Sequence, residues 1–416
     1  MFEVPRTAGG HPRLVIGVLA TLILAGAAWT GVATATKMPQ DALLASLRPS
    51  SLPPRPEVVV VETLPKLAAR LDAEAAAGRF TGAVLVAKGD QVLFRQVYGK
   101  ANYEQGRAMK LDSRFRLASI SKQFTAVAIL RLQDEGRLKT SDPVCKWIDP
   151  CPAAWADIRI GQLLAHTSGI PDLMARPAWG LRRVTHATMA ELTEDSKKYP
   201  LQFEPGTQIR YDNAAFNLAA AIVEKASGKP FDDYMRDAFF QKLGMGDTGL
   251  DLDGGDHGVI MGYANLPGGL AAQPNANTSI VAGAGAVYST LDDLLVWQRA
   301  LHRGHLLKSQ SYQQMVADHA PADMAPTERG HARRDWGYGI FANSLGDRVS
   351  PAFHDRQIYH TGSWGGFRNL MSYQPDADVT VIVLSNNYHL RDQVFLITQQ
   401  AMAEALGRDF PTTLAR

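Results

Sequence analysis

The sequence contains little cysteine and little excess charge of either sign, and both shortages exclude classes of protein. Cysteine occurs at only two positions, and too few other ligand residues lie near them for a zinc site of the usual Cys/His spacing. The formal net charge is +2, and the lysines and arginines are dispersed without a basic tract. Because nucleic-acid binding normally depends on such a tract, we expect no nucleic-acid partner.

Several catalytic motifs are also missing. The chain has no H-E-x-x-H, no G-x-S-x-G and no complete P-loop. Interpretations as a metalloprotease, an α/β-hydrolase or a nucleotidase therefore lack the residues that their chemistry needs. We predict a protein that uses no metal and no cofactor.

The two cysteines, Cys145 and Cys151, lie close together in the segment Cys-Lys-Trp-Ile-Asp-Pro-Cys. They are either two reduced thiols or a disulfide that closes a short loop. The redox state of the compartment decides between these alternatives, and the sequence leaves both open.

The N-terminus has the features of a secretory signal. Arg6 and Arg13 precede an uncharged run, residues 14–36, that is rich in Leu, Val, Ile and Ala. A small-x-small segment ending at Ala35 fits a cleavage site. The run is also close to the ~20 apolar residues that span a bilayer, so it can equally remain as a membrane anchor.

These features divide the chain into three parts. Residues 1–36 are predicted to be a signal peptide or a membrane anchor, and residues 37–60 a proline-rich linker. Residues 61–410 are then long enough for one large domain with a substantial core. We expect this domain to be exported, and to be either free in the periplasm or outside the cell or anchored to the membrane by its N-terminus.

The pattern of residues within the domain changes along the chain. Two β-rich runs near its start, residues 81–87 and 91–99, flank a glycine turn and predict an antiparallel hairpin. Two further strands are predicted at residues 370–373 and 379–385, whereas residues 117–282 are mainly helical in pattern. We therefore predict an α+β domain whose antiparallel sheet is built from both chain ends, flanked by helices, with an inserted helical lobe. A small-molecule site is expected in the cleft between them.

Ser119 and Lys122 are the first candidates for catalysis. They lie at i and i+3 at the start of a predicted helix, so their side chains share one face. A serine hydroxyl becomes a good nucleophile when a nearby base takes its proton, and a lysine can be that base if burial lowers its pKa. The pair also occurs by chance, and Ser121 is a rival serine, although Phe124 stands where its lysine would be.

Two later segments carry suitable partners for this pair. Tyr211 and Asn213 lie two apart in an extended loop and would point the same way, the phenol as a proton shuttle and the carboxamide as a group that holds a substrate amide. The segment His-Thr-Gly-Ser at residues 360–363 leads towards the final strands. A glycine at a strand edge allows the backbone to approach a substrate and to supply an oxyanion N–H.

Taken in order, these three segments resemble the S-x-x-K, Y-x-N and K-T-G-type motifs of the serine β-lactamase-like hydrolases. This is the group of class C β-lactamases, D-alanyl-D-alanine carboxypeptidases and esterases, which is similar to the penicillin-binding proteins. His-Thr-Ser-Gly at residues 166–169 and the glycine-rich residues 283–290 are similar to further segments of the family. The resemblance covers about Leu64 to Leu406 and implies a β-lactamase/transpeptidase-like fold.

The resemblance also implies roles for individual residues. Ser119 attacks the substrate carbonyl and forms an acyl-enzyme, and Lys122 and Tyr211 relay its proton to the leaving group. The backbone N–H groups of Ser119 and Ser363 form the oxyanion hole. The implied substrate-binding residues are Asn213, His360, Thr361, Gly362 and Ser363.

The chain departs from the family pattern at two of these positions. His360 replaces the lysine of the K-T-G form, and a histidine is charged only part of the time near neutral pH. It would hold a substrate carboxylate less firmly, which weakens the case for an efficient β-lactamase. Asp212 stands in the middle of Y-x-N, where it would raise the pKa of Lys122 if their side chains met. We expect it instead to point away and to accept local backbone hydrogen bonds.

Other candidates have structural alternatives. We expect His166 to pack a helix-end turn rather than to act as a catalytic base. Three aromatic residues either line a substrate groove or belong to the core: Trp336, Tyr338 and Trp364.

The sequence thus predicts an exported serine hydrolase that cleaves amide, ester or β-lactam bonds through an acyl-enzyme on Ser119. β-Lactamase, D-alanyl-D-alanine carboxypeptidase and small-ester esterase activities stay open, because all three use the same acylation machinery. A non-catalytic penicillin-binding or scaffold protein is the alternative from another class. The expected partner is a small-molecule or peptide substrate, with peptidoglycan fragments and β-lactams as candidates.

Overall fold

The computed structural model describes residues 63–176, 179–182, 184–273, 277–328 and 330–415. The predicted signal or anchor segment, residues 1–36, and the predicted linker, residues 37–60, lie outside the described residues. Within the described ranges, no helix combines the length and the apolar character needed to cross a bilayer.

Helices occupy most of the middle of the described chain. In chain order they are α1 (Pro65–Ala76), α2 (Ser121–Asp134), α3 (Ile160–Leu164), α4 (Trp179–Arg182), α5 (Met189–Lys197), α6 (Ala214–Ser227), α7 (Phe231–Met235), α8 (Gln241–Leu243), α9 (Ala282–Gly285), α10 (Leu291–His302), α11 (Ser309–Val316) and α12 (Arg391–Ala405). A π-helical turn, Arg236–Phe240, joins α7 to α8.

Strands lie mainly towards the two ends of the domain. In chain order they are β1 (Gly82–Lys88), β2 (Gln91–Tyr98), β3 (Lys100–Asn102), β4 (Arg107–Ala108), β5 (Phe115–Arg116), β6 (Gly249–Leu250), β7 (Tyr263–Leu266), β8 (Gly269–Ala272), β9 (Val287–Ser289), β10 (Thr327–Glu328), β11 (His331–Ala332), β12 (Asp335–Trp336), β13 (Phe341–Asn343), β14 (Val349–Ser350), β15 (Gln357–Trp364), β16 (Phe367–Gln374), β17 (Val379–Ser385) and β18 (Thr413–Leu414).

The main sheet has seven strands in the order β12-β13-β15-β16-β17-β1-β2. The N-terminal hairpin β1–β2 pairs antiparallel with β17, so that Val84 lies opposite Val383. The two chain ends therefore meet in the middle of one sheet, which confirms the predicted α+β architecture.

Alternate residues of β17 belong to two different cores, as the side-chain period of a strand requires. Val381 and Val383 pack in a cluster with Val394 of α12. Ile382 and Leu384 pack in the larger cluster that contains the helical lobe and α10. Because both faces are covered, every residue of β17 is buried.

The helical lobe is built around α2 and α6, which pack against each other. Helix α6 ends where Gly228 adopts a left-handed conformation (φ +74°), as a glycine after a helical run predicts. Helix α2 begins later than the sequence predicts. A 3₁₀ turn, Ala118–Ile120, precedes it, so Ser119 lies in a tight turn before the helix.

Cys145 and Cys151 are joined in a disulfide. Of the two alternatives that the sequence leaves open, the structure has the bonded one. The pair lies beside a short 3₁₀ turn, Val144–Lys146, at the edge of the helical lobe.

Candidate active site

Ser119 lies in a backbone turn that few residues adopt. The preceding residue, Ala118, has a φ of +51°, a left-handed conformation that is costly for a residue with a Cβ. Surrounding contacts stabilise this turn: Leu117 N–H donates to the carbonyl of Val287 at 2.9 Å, and the hydroxyl of Ser121 accepts from Val287 N–H at 3.0 Å. The turn lets Ser119 line the wall of a cavity at the first turn of α2.

Lys122 is fully buried and faces Ser119. Its Nζ lies 3.3 Å from Ser119 Oγ, 2.7 Å from Asn213 Oδ1 and 3.0 Å from the carbonyl oxygen of Ala284. Burial lowers the pKa of Lys122 to about 7, while the nearby carboxylates of Asp172 and Asp212 oppose the shift. A large fraction of the amine is therefore neutral near physiological pH and able to accept a proton.

Tyr211 covers the Lys122 amine. The ammonium nitrogen lies 4.7 Å from the centre of the phenol ring, and His166 stacks on that ring at 4.4 Å. Burial raises the pKa of the Tyr211 phenol, and a side-chain hydrogen bond with Ser119 partly offsets the rise. The phenol is therefore protonated at neutral pH, next to both Ser119 and Lys122.

Asn213 is held by protein groups at both ends of its carboxamide. Its Oδ1 accepts from Lys122 Nζ, and its Nδ2 donates to Asp172 Oδ2 at 3.1 Å. The residue also lines the cavity, where the sequence expects it to meet a substrate amide. In the structure its first partner is the lysine, which it holds in position.

Asp212 points away from the cavity and caps helix α6. Its two carboxylate oxygens accept from the N–H groups of Ala214 at 2.7 Å and Ala215 at 3.1 Å. Burial, with a contribution from nearby Asp172, raises the pKa of the Asp212 carboxyl well above its ordinary value. The expectation of local backbone hydrogen bonds at this position agrees with the structure.

His166 is buried at a helix-end turn. Its φ is +61°, and its Nδ1 accepts from the N–H of Asp212 at 3.0 Å. Burial and the nearby charge of Lys122 lower the pKa of His166 well below its ordinary value. The residue therefore supports the Tyr211 loop, as the sequence analysis expects of a packing residue.

Strand β15 passes directly beside the Ser119 turn. A Cβ on Gly362 would lie 2.1 Å from the carbonyl oxygen of Leu117, so only glycine permits this approach. Asn369 of the neighbouring strand fixes the same turn by donating to the carbonyl of Arg116 at 2.8 Å. The segment predicted to form the third motif thus lies against the Ser119 turn, and Thr361 and Ser363 line the cavity.

His360 differs from its expectation. The side chain is 2% exposed, its Nδ1 bonds the carbonyl of Thr361 at 2.6 Å, and its ring stacks on Phe341 at 4.8 Å. Burial, with the nearby charge of Lys122, lowers the pKa of His360 to about 3. The partial positive charge predicted near neutral pH is therefore wrong: the imidazole is neutral, because burial disfavours its charged form.

The cavity has a volume of about 440 Å³ and mixes polar and aromatic walls. Trp336 and Trp364 line it, as one sequence alternative proposes. Tyr338 is instead buried and stacks on His319 at 4.0 Å, which fits the core alternative.

Sequence reasoning missed several residues of the site. Asp172 anchors Asn213, the carbonyl of Ala284 holds Lys122, and Arg334 and Phe341 line the cavity. Asp172 had a weak signal, because it caps a 3₁₀ turn by accepting from Met174 N–H. The others carry no local signal, since only the fold brings them to Ser119.

The family model described as Beta-lactamase matches residues 67–404. Penicillin-binding protein 4* of Bacillus subtilis (strain 168) is 27% identical over 326 residues, which cover 74% of this chain and 68% of that protein. Esterase EstB of Burkholderia gladioli is 30% identical over 340 residues, which cover 72% of this chain and 85% of that protein.

Solved structures show the same fold. The octameric penicillin-binding protein homologue from Pyrococcus abyssi matches with a TM-score of 0.70 at 24% identity, covering 83% of this chain and 78% of that one. The D-amino acid amidase from Ochrobactrum anthropi SV3 matches with a TM-score of 0.69 at 21% identity, covering 82% of this chain and 98% of that one.

Proposed function

This chain belongs to the beta-lactamase family of serine hydrolases, and from that premise we propose that it is an exported enzyme that cleaves ester and amide bonds through an acyl-enzyme on Ser119. The observation that carries the proposal is the geometry of Lys122, whose amine has a pKa of about 7 and lies 3.3 Å from Ser119 Oγ. A neutral amine at that distance can take the proton of the attacking hydroxyl.

Acylation would proceed in two steps. Ser119 Oγ forms a bond to the substrate carbonyl carbon while its proton moves to Lys122 Nζ, and the carbonyl oxygen becomes an oxyanion. The N–H groups of Ser119 and Ser363 are the donors that we assign to this oxyanion, because Gly362 allows β15 to lie against the Ser119 turn. The tetrahedral intermediate then collapses, and the bond to the leaving group breaks.

Tyr211 would return the proton. Its protonated phenol donates to the departing oxygen or nitrogen and is restored by Lys122, whose amine lies over the same ring. A water molecule then attacks the acyl carbonyl and releases the acid, with the same pair acting as base. Thr361 and Ser363 offer hydroxyls to the bound substrate at the cavity wall.

The neutral state of His360 favours ester and amide substrates without a carboxylate at that position. A protonated histidine could pair with such a carboxylate, but burial holds the pKa of His360 at about 3. The names of relatives and neighbours agree with this range of acyl chemistry: one is an esterase and one is a D-amino acid amidase.

β-Lactam acylation is a second candidate, favoured by the match to a protein named as a penicillin-binding protein. Incubation with a penicillin followed by intact-mass measurement tests it. An adduct that disappears within seconds would indicate a β-lactamase, and one that lasts for hours a peptidase-like protein. If no adduct forms and no penicillin is consumed, β-lactam acylation is excluded and hydrolysis of esters and amides is the function that stays proposed.

A non-catalytic scaffold is disfavoured, because a binding protein has no need for a buried amine with a lowered pKa beside a serine hydroxyl. The test is turnover of a chromogenic ester by the native protein and by the Ser119→Ala variant. The matched control is Ser309→Ala, at an exposed serine outside the catalytic cavity. We expect Ser119→Ala to abolish turnover and Ser309→Ala to retain it, whereas equal rates for the native and Ser119→Ala proteins would refute the proposal.

Export is proposed on separate grounds. The disulfide between Cys145 and Cys151 suits an oxidising compartment, and residues 1–36 have the composition of a signal or an anchor. Expression of the full chain, followed by cell fractionation and N-terminal mass determination, tests both export and cleavage of the N-terminal segment. A mature N-terminus after Ala35 would indicate cleavage, an intact chain in the membrane fraction would indicate anchoring, and intact cytoplasmic protein would refute export.

A further inference from the structure

A second cavity adjoins the catalytic one. It has a volume of about 590 Å³ and shares Arg334, Phe341 and Thr361 with the catalytic cavity. From there it extends along β15 and β16 to the start of α12 and to β18. We call it the arginine pocket, because three further arginines line it: Arg348, Arg368 and Arg391.

The arginine pocket has an excess of positive charge. Arg334 is paired with Glu328 at 2.8 Å, but Arg348, Arg368 and Arg391 form no ion pair with a carboxylate in the ranges that the structure describes. Asp392 is the acidic residue among the described lining residues. The described lining therefore contains three arginines without a carboxylate partner and one acidic residue, whereas other arginines of the described ranges are paired, as Arg356 is with Asp335 at 2.6 Å.

Arg368 and Arg391 lie close enough for their charges to repel each other. Burial lowers the pKa of Arg368 and the charge of Arg391 adds to the fall, whereas Tyr388, whose carbonyl accepts from Arg368 Nε at 3.2 Å, and Asp392 oppose it. Burial raises the pKa of the Tyr359 phenol, whose ring lines the same cavity, and the charges of Arg334 and Arg348 oppose the rise. Like charges held in a partly enclosed space cost free energy, and a bound anion would relieve that cost.

We propose that the arginine pocket is a subsite for an anionic group, a carboxylate or a phosphate, carried by the substrate whose ester or amide bond is cleaved at Ser119. The inference rests on the proposed function and extends it to the class of substrate. Guanidinium groups recognise carboxylates and phosphates through paired hydrogen bonds, and the pocket presents several of them around one space.

The rest of the lining suits the chain that would connect the two groups. Phe341 stands where the two cavities meet, and Leu345 and Phe395 continue the apolar wall into the arginine pocket. A substrate with an acyl group at Ser119, an apolar connecting segment and an anionic end would contact each of these surfaces in turn. The neutral His360 leaves anion recognition to the arginines.

The test compares anionic and neutral esters of equal length. Mono(4-nitrophenyl) esters of succinate, adipate and suberate carry a free carboxylate at increasing distance, and 4-nitrophenyl butyrate, hexanoate and octanoate are their neutral counterparts. The measured quantity is the ratio of kcat/KM for each anionic ester to that of its neutral counterpart. We expect one anionic length to be preferred, and Arg348→Gln or Arg391→Gln to lower its ratio about tenfold.

Arg137→Gln is the matched control, because Arg137 is an exposed arginine outside both cavities. It should leave the ratio unchanged, and so separate the pocket from a general effect of net charge. An unchanged ratio in both Arg348→Gln and Arg391→Gln would overturn the subsite. Loss of the preference in Arg137→Gln as well would overturn it in the same way, because the effect would then come from the net charge alone.

Two further measurements separate the subsite from its alternatives. Inorganic phosphate should inhibit hydrolysis of the preferred anionic ester competitively and leave the neutral ester unaffected. An equal effect on both esters would mean that the pocket binds an effector, and would overturn its role as a substrate subsite. If neither ester is hydrolysed, the proposed function fails, but the anion subsite can still be tested by calorimetric titration of the Ser119→Ala protein with adipate. Binding of adipate that Arg348→Gln weakens would support the subsite. No binding of adipate would overturn it.

Discussion

In the proposed mechanism, the charge of the Lys122 amine determines whether Ser119 can be deprotonated. Burial lowers the pKa of Lys122 to about 7, so the amine is mostly protonated below that pH and mostly neutral above it. Log(kcat/KM) for a neutral ester should therefore rise with unit slope up to about pH 7 and level off above it. A stopped-rate assay between pH 5 and pH 9, which is roughly the range over which such a group titrates, checks the profile.

The variant Lys122→Met tests whether Lys122 is the group that causes this pH dependence. It removes the amine and keeps the volume of the buried chain, so the rate should fall by about 100- to 10,000-fold and the residual activity should lose the step near pH 7. Persistence of the same acid limb in the variant would show that another group titrates.

The negative charge of Asp172 affects the pKa of the same amine. Asp172 accepts from Asn213 Nδ2 at 3.1 Å, and its negative charge opposes the fall in the pKa of Lys122. Asp172→Asn keeps the shape and removes the charge, so the pKa of Lys122 should fall further and the acid limb of the pH profile should move to lower pH. Asp157→Asn, at an exposed position outside the catalytic cavity, is the control. A limb that stays in place, or moves to higher pH, would contradict this role for Asp172.

The residues of this site differ in how well the sequence predicts that they belong to it. Ser119 and Lys122 are three residues apart, so their proximity could be predicted from spacing, and the resemblance to the family implied that Tyr211 lies beside them. Asp172 and the carbonyl of Ala284 reach Lys122 through the fold, across 50 and 162 residues of chain respectively. The charge of His360 could not be predicted either, because it depends on burial against Phe341 rather than on residue type.

At the scale of elements, the site depends on the contact between the Ser119 turn and strand β15. The turn is strained at Ala118, and the strand closes over it at Gly362. Ser363 of this strand lines the same cavity as Ser119, so the position of the strand controls the second oxyanion donor that we assign. This contact joins the helical lobe to the sheet.

Gly362→Ala tests that contact. The new Cβ would lie 2.1 Å from the carbonyl oxygen of Leu117, a backbone atom that cannot rotate away, so β15 must move from the turn. We expect kcat to fall by about 100-fold or more, in line with the loss of one oxyanion donor, together with a lower melting temperature. Gly268→Ala is the control, because nothing lies within 4 Å of its added Cβ and its φ is not left-handed. Native kcat in Gly362→Ala would refute the close approach.

The elements themselves follow the sequence where local signals are strong. The hairpin β1–β2 has two β-rich runs joined by a glycine turn, and the helix α6 is followed by a glycine that ends it. Ser119 was placed inside a helix by its spacing to Lys122, but it lies in the 3₁₀ turn before α2. The left-handed φ of Ala118 produces that difference, and no residue pattern announces a left-handed alanine.

At the scale of the whole molecule, one sheet joins the first and the last long strands of the described domain. Strand β1 pairs with β17 along its length, so neither strand can detach without breaking the main sheet. The sequence predicts this closure because strands lie at both ends with helices between them. A cross-link inside the helical lobe therefore adds to the stability of a domain whose first and last long strands are already joined by the sheet.

The disulfide between Cys145 and Cys151 is such a cross-link, with a sequence separation of 6. Closing a loop that short restricts the unfolded chain by about 2 kcal/mol on the chain-entropy estimate. Replacing both cysteines with serine should lower the melting temperature by a few degrees, because a domain of this size responds by roughly 2–4 °C per kcal/mol. Ester hydrolysis at 25 °C or so should be retained, since neither cysteine lines the catalytic cavity.

Reduction of the native protein provides the matched comparison. Dithiothreitol should lower the melting temperature of the native protein to that of the Cys145→Ser/Cys151→Ser variant and leave the variant itself unchanged. A gain of about 2 Da in the intact mass after reduction would verify that one disulfide opened. If the native protein melts at the same temperature with and without reductant while its mass rises, the disulfide does not stabilise the domain. Its contribution would then be limited to the local shape of the loop, and the unfolded state must already be compact around the two cysteines.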